Sequence, residues 1–472
     1  MILLLYRKSV FYTSGIAGGN SMKLHIKRHA PMSAQAIIAL GFFLIILIMT
    51  LLLMLPISSN TGEPTDWLTA LFTATSAVCV TGLVAVDTAT HWSLFGRIVV
   101  ITGIQIGGLG VTTLLALISL ALGKRIGLRQ RTVLQESVAS LRIGGIVRLV
   151  KRAIIGTLII EGTGALLLSF RFVPMLGLWR GLGYSVFHSI SAFCNAGFDL
   201  MGTITGPYTS LESFVGDPII NIAITSLILI GGMGFFVWDD LVENRFRWSR
   251  LQLHSRASML VTLFLLIVPT ALFFVFEADA SMAGMPVGTR LWASYFSAVT
   301  PRTAGFDTIP TATLSQAGSL LTVLLMLTGG NPGSTAGGAK TTTMLLMVML
   351  AISALRREED VRVLGRRIEN SVIRRAGTIV VVYATMGLVA TLAICGVQPE
   401  LALRDVLIEV FSALDTVGMS TGITRSLTPL SKIILILLMY AGRLGSLTFA
   451  ILVARRPTPA NIQYPVDQMI VG

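Results

Sequence analysis

The sequence predicts an all-α integral membrane protein built from four tandem repeats, each made of a span, a short helix with a loop, and a second span. Three observations lead to this prediction. Hydrophobic residues make up 53% of the 472 residues and charged residues only 12%, about half the charged fraction of a soluble protein. Long apolar segments recur along the chain, and short segments of one pattern lie between them. Internal repetition is a strong fold signal in a single sequence.

Eight apolar segments are each near the roughly 20 residues that a helix needs to cross a bilayer. They occupy residues 35–56, 94–122, 153–173, 218–237, 257–276, 320–355, 377–395 and 430–453. The four repeats are accordingly predicted at residues 35–122, 153–238, 257–355 and 377–454. An even number of spans places both termini on the same side of the membrane.

Charge indicates orientation rather than nucleic-acid binding. The net charge is +13, but the basic residues lie in connections between apolar segments and form no single face or tail. Connections 123–152, 239–256 and 356–376 carry a basic excess, which places them in the cytoplasm by the positive-inside rule. We therefore expect a multi-pass protein of the cytoplasmic membrane, with both termini (residues 1–34 and 455–472) cytoplasmic and no nucleic-acid partner.

Residue types that carry metal or enzyme chemistry are scarce. Cys79, Cys194 and Cys395 are odd in number and lack metal-ligand spacing, so neither a disulfide framework nor a zinc site is expected. No H-E-x-x-H motif or nucleophile elbow occurs, so we do not expect an enzyme. The first 21 residues are either disordered, upstream of the true translation start, or an ordered cytoplasmic arm.

Each repeat contains a segment too short and too polar to cross the membrane. These segments are FTATSAVCVTGLVAVDT from Phe72, FHSISAFCNAGFDL from Phe187, YFSAVTPRTAGFDT from Tyr295 and FSALDTVGMSTGIT from Phe411. Non-helical backbone is not tolerated against lipid, so the four loops are expected to face one water-filled or protein-lined axis, as in a pseudo-fourfold pore. Short helices ending near Ala77, Ala192, Ala298 and Ala413 would direct partially negative C-termini at that axis, which favours a cation.

A tripeptide ending in glycine recurs at the same place in each loop. The predicted ion selectivity filter is Val80-Thr81-Gly82, Asn195-Ala196-Gly197, Thr303-Ala304-Gly305 and Thr416-Val417-Gly418. Glycine permits a positive φ, which lets carbonyl groups point at the axis and replace the hydration shell of an ion. No carboxylate ring lines this position, so carbonyl coordination favours potassium. For any single loop, a glycine that only serves a tight turn remains the alternative.

A second glycine-rich stretch interrupts the segment at 320–355. As one helix this segment would measure about 54 Å, against a hydrocarbon core of roughly 30 Å. Pro332 and the surrounding glycines therefore predict an intramembrane loop at 329–343. A phosphate-binding loop is not favoured, because Ala339 precedes Lys340 where that motif needs glycine.

Together these features resemble the Trk/Ktr/HKT superfamily of potassium transporters. The resemblance is carried by the four loops, by Thr416-Val417-Gly418, by GIQIGGLGVTTL (103–114), by LIGGMGFFVWDDL (229–241) and by NPGSTAGGAKTTT, and it covers about residue 35 to the C-terminus. Eight spans favour the Ktr-type membrane subunit. The resemblance implies gated potassium uptake, a homodimer, possible activation by sodium, and a separate cytosolic ring (KtrA-like) that binds the regulatory nucleotide.

The resemblance also implies a movable gate beneath the filter. Its residues would be Gly329, Gly330, Asn331, Pro332, Gly333, Ser334, Thr335, Ala336, Gly337, Gly338, Ala339 and Lys340. A static kink is the alternative. Arg443 is a second gate candidate, because a charge inside a span costs at least ~2.5 kcal/mol and normally faces the bundle interior. There it would raise the barrier to cations, whereas pairing with a helix C-terminus or a carboxylate would serve assembly alone.

Two further expectations concern neighbouring repeats and the transport mode. Arg302 and Asp415 each lie three residues before a filter glycine, which predicts a salt bridge supporting the filter. An ion-coupled transporter of another solute, with broken helices at the membrane midplane, is the alternative function. Such folds usually show inverted or twofold repeats, so four units in one direction favour the pore.

Overall fold

The computed structural model of the protein describes residues 33–110, 113 and 146–445. Most of the predicted N-terminal segment 1–34, the predicted C-terminus 455–472 and most of the basic connection 123–152 lie outside the described residues. The described chain is almost entirely helical. Single-turn 3₁₀ helices occur at Pro56–Ser58, Met201–Thr203, Glu212–Phe214, Trp248–Arg250, Thr311–Thr313 and Ile423–Arg425.

The first repeat consists of α1 (Ala34–Leu53), α2 (Trp67–Val78), the single turn α3 (Thr88–His91) and α4 (Leu94–Leu109). Asp66 caps α2, since its carboxylate accepts two backbone amides of the first turn at 3.0 and 3.2 Å. A capping carboxylate satisfies amides that have no partner within the helix and favours the helix dipole. The short helix α2 therefore begins at a fixed residue.

The second repeat consists of α5 (Ile146–Leu176), α6 (Leu178–Phe193), α7 (Pro218–Gly232) and α8 (Phe235–Glu243). The sequence predicted one span over residues 218–237, but the structure bends this segment after Gly232, between α7 and α8. Helices α7 and α8 meet at an angle of 90°, because Gly234 between them has a φ of +94° that a helix does not accommodate.

The third repeat consists of α9 (Leu253–Phe276), α10 (Val287–Val299), α11 (Gln316–Met326) and α12 (Thr341–Leu355). The non-helical stretch between α11 and α12 covers residues 327–340. The long apolar segment is thus interrupted, but residues 341–343 of the loop predicted at 329–343 form the first turn of α12.

The fourth repeat consists of α13 (Asn370–Val397), α14 (Leu403–Leu414) and α15 (Pro429–Leu444). Before it, β1 (Arg362–Val363) and β2 (Arg366–Arg367) pair as a small antiparallel hairpin. The hairpin lies in the basic connection 356–376 and is a departure from the predicted all-α fold. Each strand has only two residues, of which Val363 is buried and the three arginines are exposed, and so short a strand gives no hydrophobic periodicity that could indicate it.

Four described helices are long and apolar enough to cross a membrane, and they begin the four repeats: Gln35–Leu53, Val147–Leu176, Leu253–Phe276 and Asn370–Val397. The bent pair α7 and α8 is a fifth candidate. Helices occupy all eight predicted apolar segments, but in the described residues the second helix of every repeat is short. The prediction of eight spans is thus confirmed only in part, and several apolar spans are established.

Sequence alone did not indicate that the second helices end alike. In three repeats the helix stops at a glycine of closely similar conformation: Gly110 (φ 84°, ψ 137°), Gly234 (φ 94°, ψ 134°) and Gly445 (φ 83°, ψ 133°). Three positions before each of these glycines lies another glycine, which packs against the short helix that precedes the filter loop of the same repeat. A Cβ on Gly107, Gly231 or Gly442 would come within 3.0 Å of the carbonyl oxygen that ends α2, α6 or α14.

Candidate functional site

The four predicted filter loops meet one another through their glycines. A Cβ added to each glycine would come within 3.0 Å of a carbonyl oxygen in the next loop, namely Gly82 to Ala196, Gly197 to Ala304, Gly305 to Val417 and Gly418 to Thr81. In every case that oxygen belongs to the middle residue of the next tripeptide. The glycines therefore form a closed ring in the order of the repeats, and the fourth loop packs against the first.

Backbone conformation is also common to the four loops. The predicted positive φ of the glycines is confirmed at 96° for Gly82, 66° for Gly197, 76° for Gly305 and 96° for Gly418. The sequence did not predict that the first residue of each tripeptide shares this region: Val80 (58°), Asn195 (59°), Thr303 (68°) and Thr416 (52°). Such a φ is unfavourable for a side chain branched at Cβ and persists only where the surroundings hold it.

The helix ends that precede the loops are confirmed to within one residue. Helices α2, α6, α10 and α14 end at Val78, Phe193, Val299 and Leu414. Their C-termini, which carry partial negative charge, adjoin the tripeptides. Side-chain hydroxyls fix the loops, since Ser76 Oγ accepts from the Gly82 amide at 3.1 Å and Ser412 Oγ accepts from the Gly418 amide at 3.0 Å.

The third loop has two residues more than the others. Serine and glycine are six positions apart in Ser76 to Gly82, but eight apart in Ser297 to Gly305. A threonine compensates, because Thr300 Oγ1 donates to the Phe306 carbonyl at 2.5 Å, as Ser191 Oγ does to the Phe198 carbonyl at 2.7 Å in the second loop.

This insertion explains why the predicted salt bridge between Arg302 and Asp415 is wrong. Arg302 is the third residue after the end of α10, whereas Asp415 is the first after the end of α14, and Arg302 Nη2 donates to Thr262 Oγ1 at 3.4 Å. The Asp415 carboxylate instead accepts from the Ala339 amide at 3.3 Å. Both residues are buried and described, and no ion pair joins them.

A cavity of about 230 Å³ lies on one side of the ring, and all four glycines line it. We call this cavity the vestibule. Four carboxylates also line it: Asp87, Asp199, Glu212 and Asp307. These residues follow the filter loops and lie outside the spans. Burial raises the pKa of Asp199 and of Asp307 to about 7 and raises that of Glu212. The vestibule is thus lined by groups that attract cations when ionised.

The interrupted segment 327–340 packs against the second repeat. The amides of Asn331 and Thr335 donate to the carbonyls of Gly232 and Gly231 at 3.0 and 3.3 Å. In return, the Gly333 carbonyl accepts from the first amide of α8 at 2.9 Å. The loop therefore satisfies backbone groups that the bend between α7 and α8 leaves free.

Asn331 closes the loop at its base. Its side-chain oxygen accepts from the Thr341 hydroxyl, and its Nδ2 donates to Thr262 Oγ1 at 3.3 Å. Asn331 is fully buried. Its amide thereby ties α12 to α9 across the loop.

The far side of the loop lies against the fourth filter loop. A Cβ on Gly337 would come within 3.0 Å of Thr416, and one on Gly338 within 3.0 Å of Asp415. Lys340 folds back, with Nζ donating to the carbonyls of Ala336 and Gly337 at 2.8 and 2.9 Å. Residues predicted as gate and residues predicted as filter are therefore in direct contact.

Arg443 joins this loop to the first repeat. It stands where Gly108 and Gly232 stand in the motifs G-G-L-G and G-G-M-G, and its guanidinium donates to the carbonyls of Thr335, Gly107 and Gly108. It faces the bundle interior, as predicted. Arg443 therefore contacts the predicted gate through Thr335 and also a helix C-terminus, through Gly107 and Gly108 in the last turn of α4. Both the gate role and the assembly role remain open.

Comparisons with known proteins agree with this architecture. The crystal structure of the potassium transporter TrkH from Vibrio parahaemolyticus matches with a TM-score of 0.68 over 90% of this chain and 86% of that chain. At 19% identity, this similarity identifies the fold alone. The chain thus has a TrkH-like fold, which is mostly helical and crosses the membrane several times.

Sequence comparisons identify the family. The chain is 40% identical over 438 residues to the Ktr system potassium uptake protein B of Bacillus subtilis (strain 168), covering 92% of this chain and 96% of that protein. It is 37% identical over 457 residues to the potassium/sodium uptake protein NtpJ of Enterococcus hirae, covering 96% and 99%. Residues 10–464 match the family described as "TrkH: Cation transport protein". The chain therefore belongs to the TrkH family of cation transport proteins, which are transporters and not enzymes.

Proposed function

We propose that the protein is the pore-forming membrane subunit of a Ktr-like potassium uptake system. The observation that carries the proposal is the closed ring of four glycines, each packed on the middle carbonyl of the next loop. Relatives that match nearly the whole chain are named for uptake of potassium, or of potassium and sodium. Potassium is the cargo of this pore.

In this proposal, the vestibule carboxylates gather cations and the filter loops desolvate them. The loop carbonyls of Val80 to Gly82 and their three counterparts replace the ion's hydration shell, and the helix C-termini behind them favour positive charge. The membrane potential drives inward movement, at about 2.3 kcal/mol per elementary charge and 100 mV.

Below the filter, residues Gly329 to Lys340 and Arg443 would form the gate. Support comes from direct contact of Gly337 and Gly338 with the fourth filter loop and from the three carbonyls that Arg443 binds. A loop held by polar contacts at a few points can leave the pathway when those contacts change. We call Arg443 and the three carbonyl groups that it binds the latch of this gate.

Regulation is proposed to come from a separate protein. The connections 239–256 and 356–376 carry exposed arginines, among them those of the β1–β2 hairpin, and would form a cytoplasmic docking surface for a nucleotide-binding ring. The subunit would act as a homodimer. Co-purification of such a ring with the wild-type protein, and its loss when the hairpin arginines are changed to glutamate, tests this surface.

The decisive experiment is cation flux into proteoliposomes. Purified wild-type protein is compared with Gly305→Ser, in which the new Cβ would meet the Val417 carbonyl at 2.5 Å. The matched control is Gly162→Ser on α5, where an added Cβ has no neighbour within 4 Å. We expect potassium-selective flux in the wild type and the control, with selectivity lost in Gly305→Ser.

Other outcomes separate the alternatives. Equal potassium and sodium flux in the wild type would indicate a general monovalent-cation pathway. Flux of another solute that requires a sodium or proton gradient would favour the ion-coupled transporter. Stimulation of potassium flux by sodium is tested in the same vesicles. Absence of cation flux with and without a nucleotide-binding partner would overturn the proposal.

A further inference from the structure

A cation–π contact crosses between two loops at the mouth of the vestibule. The Arg425 guanidinium carbon lies 4.3 Å from the ring centroid of Tyr208, and both residues line the vestibule together with the four filter glycines. Tyr208 belongs to the second repeat and Arg425 to the fourth. These repeats are not neighbours in the glycine ring, so the contact spans part of the mouth.

Tyr208 is held in place from two sides despite an unfavourable backbone. Its φ is +66° and that of Ser210 is +42°, and such strain persists only where contacts enforce it. The Asp87 carboxylate accepts from the Tyr208 amide at 3.0 Å, and the Ser210 hydroxyl accepts from the Asp307 amide at 3.1 Å. The first and third repeats thus fix the loop that presents the ring.

The charge of Arg425 is opposite to that of its surroundings. Among the described residues that line the vestibule, four are acidic and Arg425 alone is basic. No described carboxylate forms an ion pair with it, although its Nε donates to the Gly422 carbonyl at 3.3 Å. A positive charge that lines the vestibule raises the free energy of a cation that enters it.

We propose that Arg425, parked on the ring of Tyr208, is a tethered cation that sets the apparent affinity of the pore for the ion it takes up. While parked, it leaves the carboxylates free to attract the permeant cation. When released, it competes with that cation for the vestibule. Arg425 is the affinity-determining residue, and Tyr208 is the positioning residue. The inference rests on the proposed function.

The test measures the concentration dependence of potassium uptake in proteoliposomes and potassium binding to the detergent-solubilised protein by calorimetry. Arg425→Gln should lower the KM and the binding Kd about three- to tenfold, as expected for one charge at close range in a partly aqueous site, with Vmax unchanged. Tyr208→Leu frees the guanidinium and should raise both values. In the double variant, Tyr208→Leu should have no further effect.

Two controls make the result specific. Arg290 also lies over an aromatic ring, with its Cζ 4.0 Å from the centroid of Phe274, but it does not line the vestibule, so Arg290→Gln should leave the KM unchanged. Arg425→Lys keeps the charge and should keep the KM within about twofold of wild type. An unchanged Vmax shows that each variant is folded.

The inference is overturned if Arg425→Gln leaves both KM and Kd at the wild-type values, or if Tyr208→Leu acts equally with and without Arg425. Its failure is distinguishable from failure of the proposed function. A binding shift without uptake in any variant would support the tethered cation and overturn potassium uptake. Wild-type protein that neither binds nor transports potassium would overturn both.

Discussion

The ring of predicted filter loops and the loop at 327–340 beside it are built in opposite ways. In the ring, four loops repeat one backbone conformation, and each glycine packs on a backbone carbonyl of the next loop. The loop at 327–340 occurs in one repeat, and single side chains hold it, chiefly its own Asn331 and Arg443 from the fourth repeat. In the proposed function, repetition suits a filter that coordinates an ion evenly, and asymmetry suits a gate that is controlled.

The ring glycines should therefore be equally intolerant of substitution, and this is the largest effect we expect. Alanine at Gly82, Gly197, Gly305 or Gly418, one at a time, should reduce the preference for potassium over sodium at least about tenfold, since each Cβ meets backbone that cannot give way. Flux ratios in proteoliposomes measure this. Gly396→Ala is the control, because a Cβ there has no neighbour within 4 Å.

If only one or two ring glycines proved sensitive, the fourfold equivalence of the filter would be wrong. The remaining loops would then have a purely structural role.

Removing the latch should increase potassium uptake, whereas changing the ring glycines should reduce selectivity. Arg443→Gln deletes donors to three carbonyls, and hydrogen bonds to a charged group contribute about 1.5 to 3 kcal/mol each. We expect potassium uptake to rise about tenfold without a change in selectivity. Flux at equal protein density measures it, with Lys432→Gln on the same helix as a charge control. If uptake were lost in Arg443→Gln but not in Lys432→Gln, Arg443 would instead hold the conducting arrangement.

Acidification should weaken potassium uptake because it protonates carboxylates of the vestibule. Burial raises the pKa of Asp199 and of Asp307 to about 7, so both are mostly ionised at external pH 8 and mostly protonated at pH 6. As the pH falls through this window the vestibule loses negative charge, and the KM for potassium should rise about two- to threefold. Asp199→Asn with Asp307→Asn should flatten the profile, and a profile unchanged by these substitutions would contradict the assignment.

The smallest effect should come from the base of the loop. Asn331→Ala removes the tie between α9 and α12, worth about 1 kcal/mol for neutral hydrogen bonds, and should raise potassium uptake about twofold. Thr328→Ala is the control, since the Thr328 hydroxyl donates to the Leu324 carbonyl in the last turn of α11 and does not tie α9 to α12. An effect of Asn331→Ala on ion selectivity instead of rate would place Asn331 with the ring rather than with the loop.

Much of the site could be predicted from the sequence because it repeats. The helix ends before the filter and the positive φ of Gly82 and its three counterparts follow from small residues recurring in register. The bend at Gly234 escaped prediction, because an apolar segment of near-spanning length gives no sign of an angle. The left-handed conformation of Val80 and Thr303 escaped as well, since tertiary contacts enforce it against residue preference.

The amino-acid sequence by itself determined the membrane environment and the places where the helices before the predicted filter end, and it predicts the four repeats. Apolar length and glycine spacing act locally, so they can be read without coordinates. Only the tertiary structure decided that Asp415 faces Ala339 rather than Arg302, and that Arg443 reaches Thr335 and Gly107. Those partners come from different repeats, and a two-residue insertion or a helix bend changes which side chains meet without changing the local pattern.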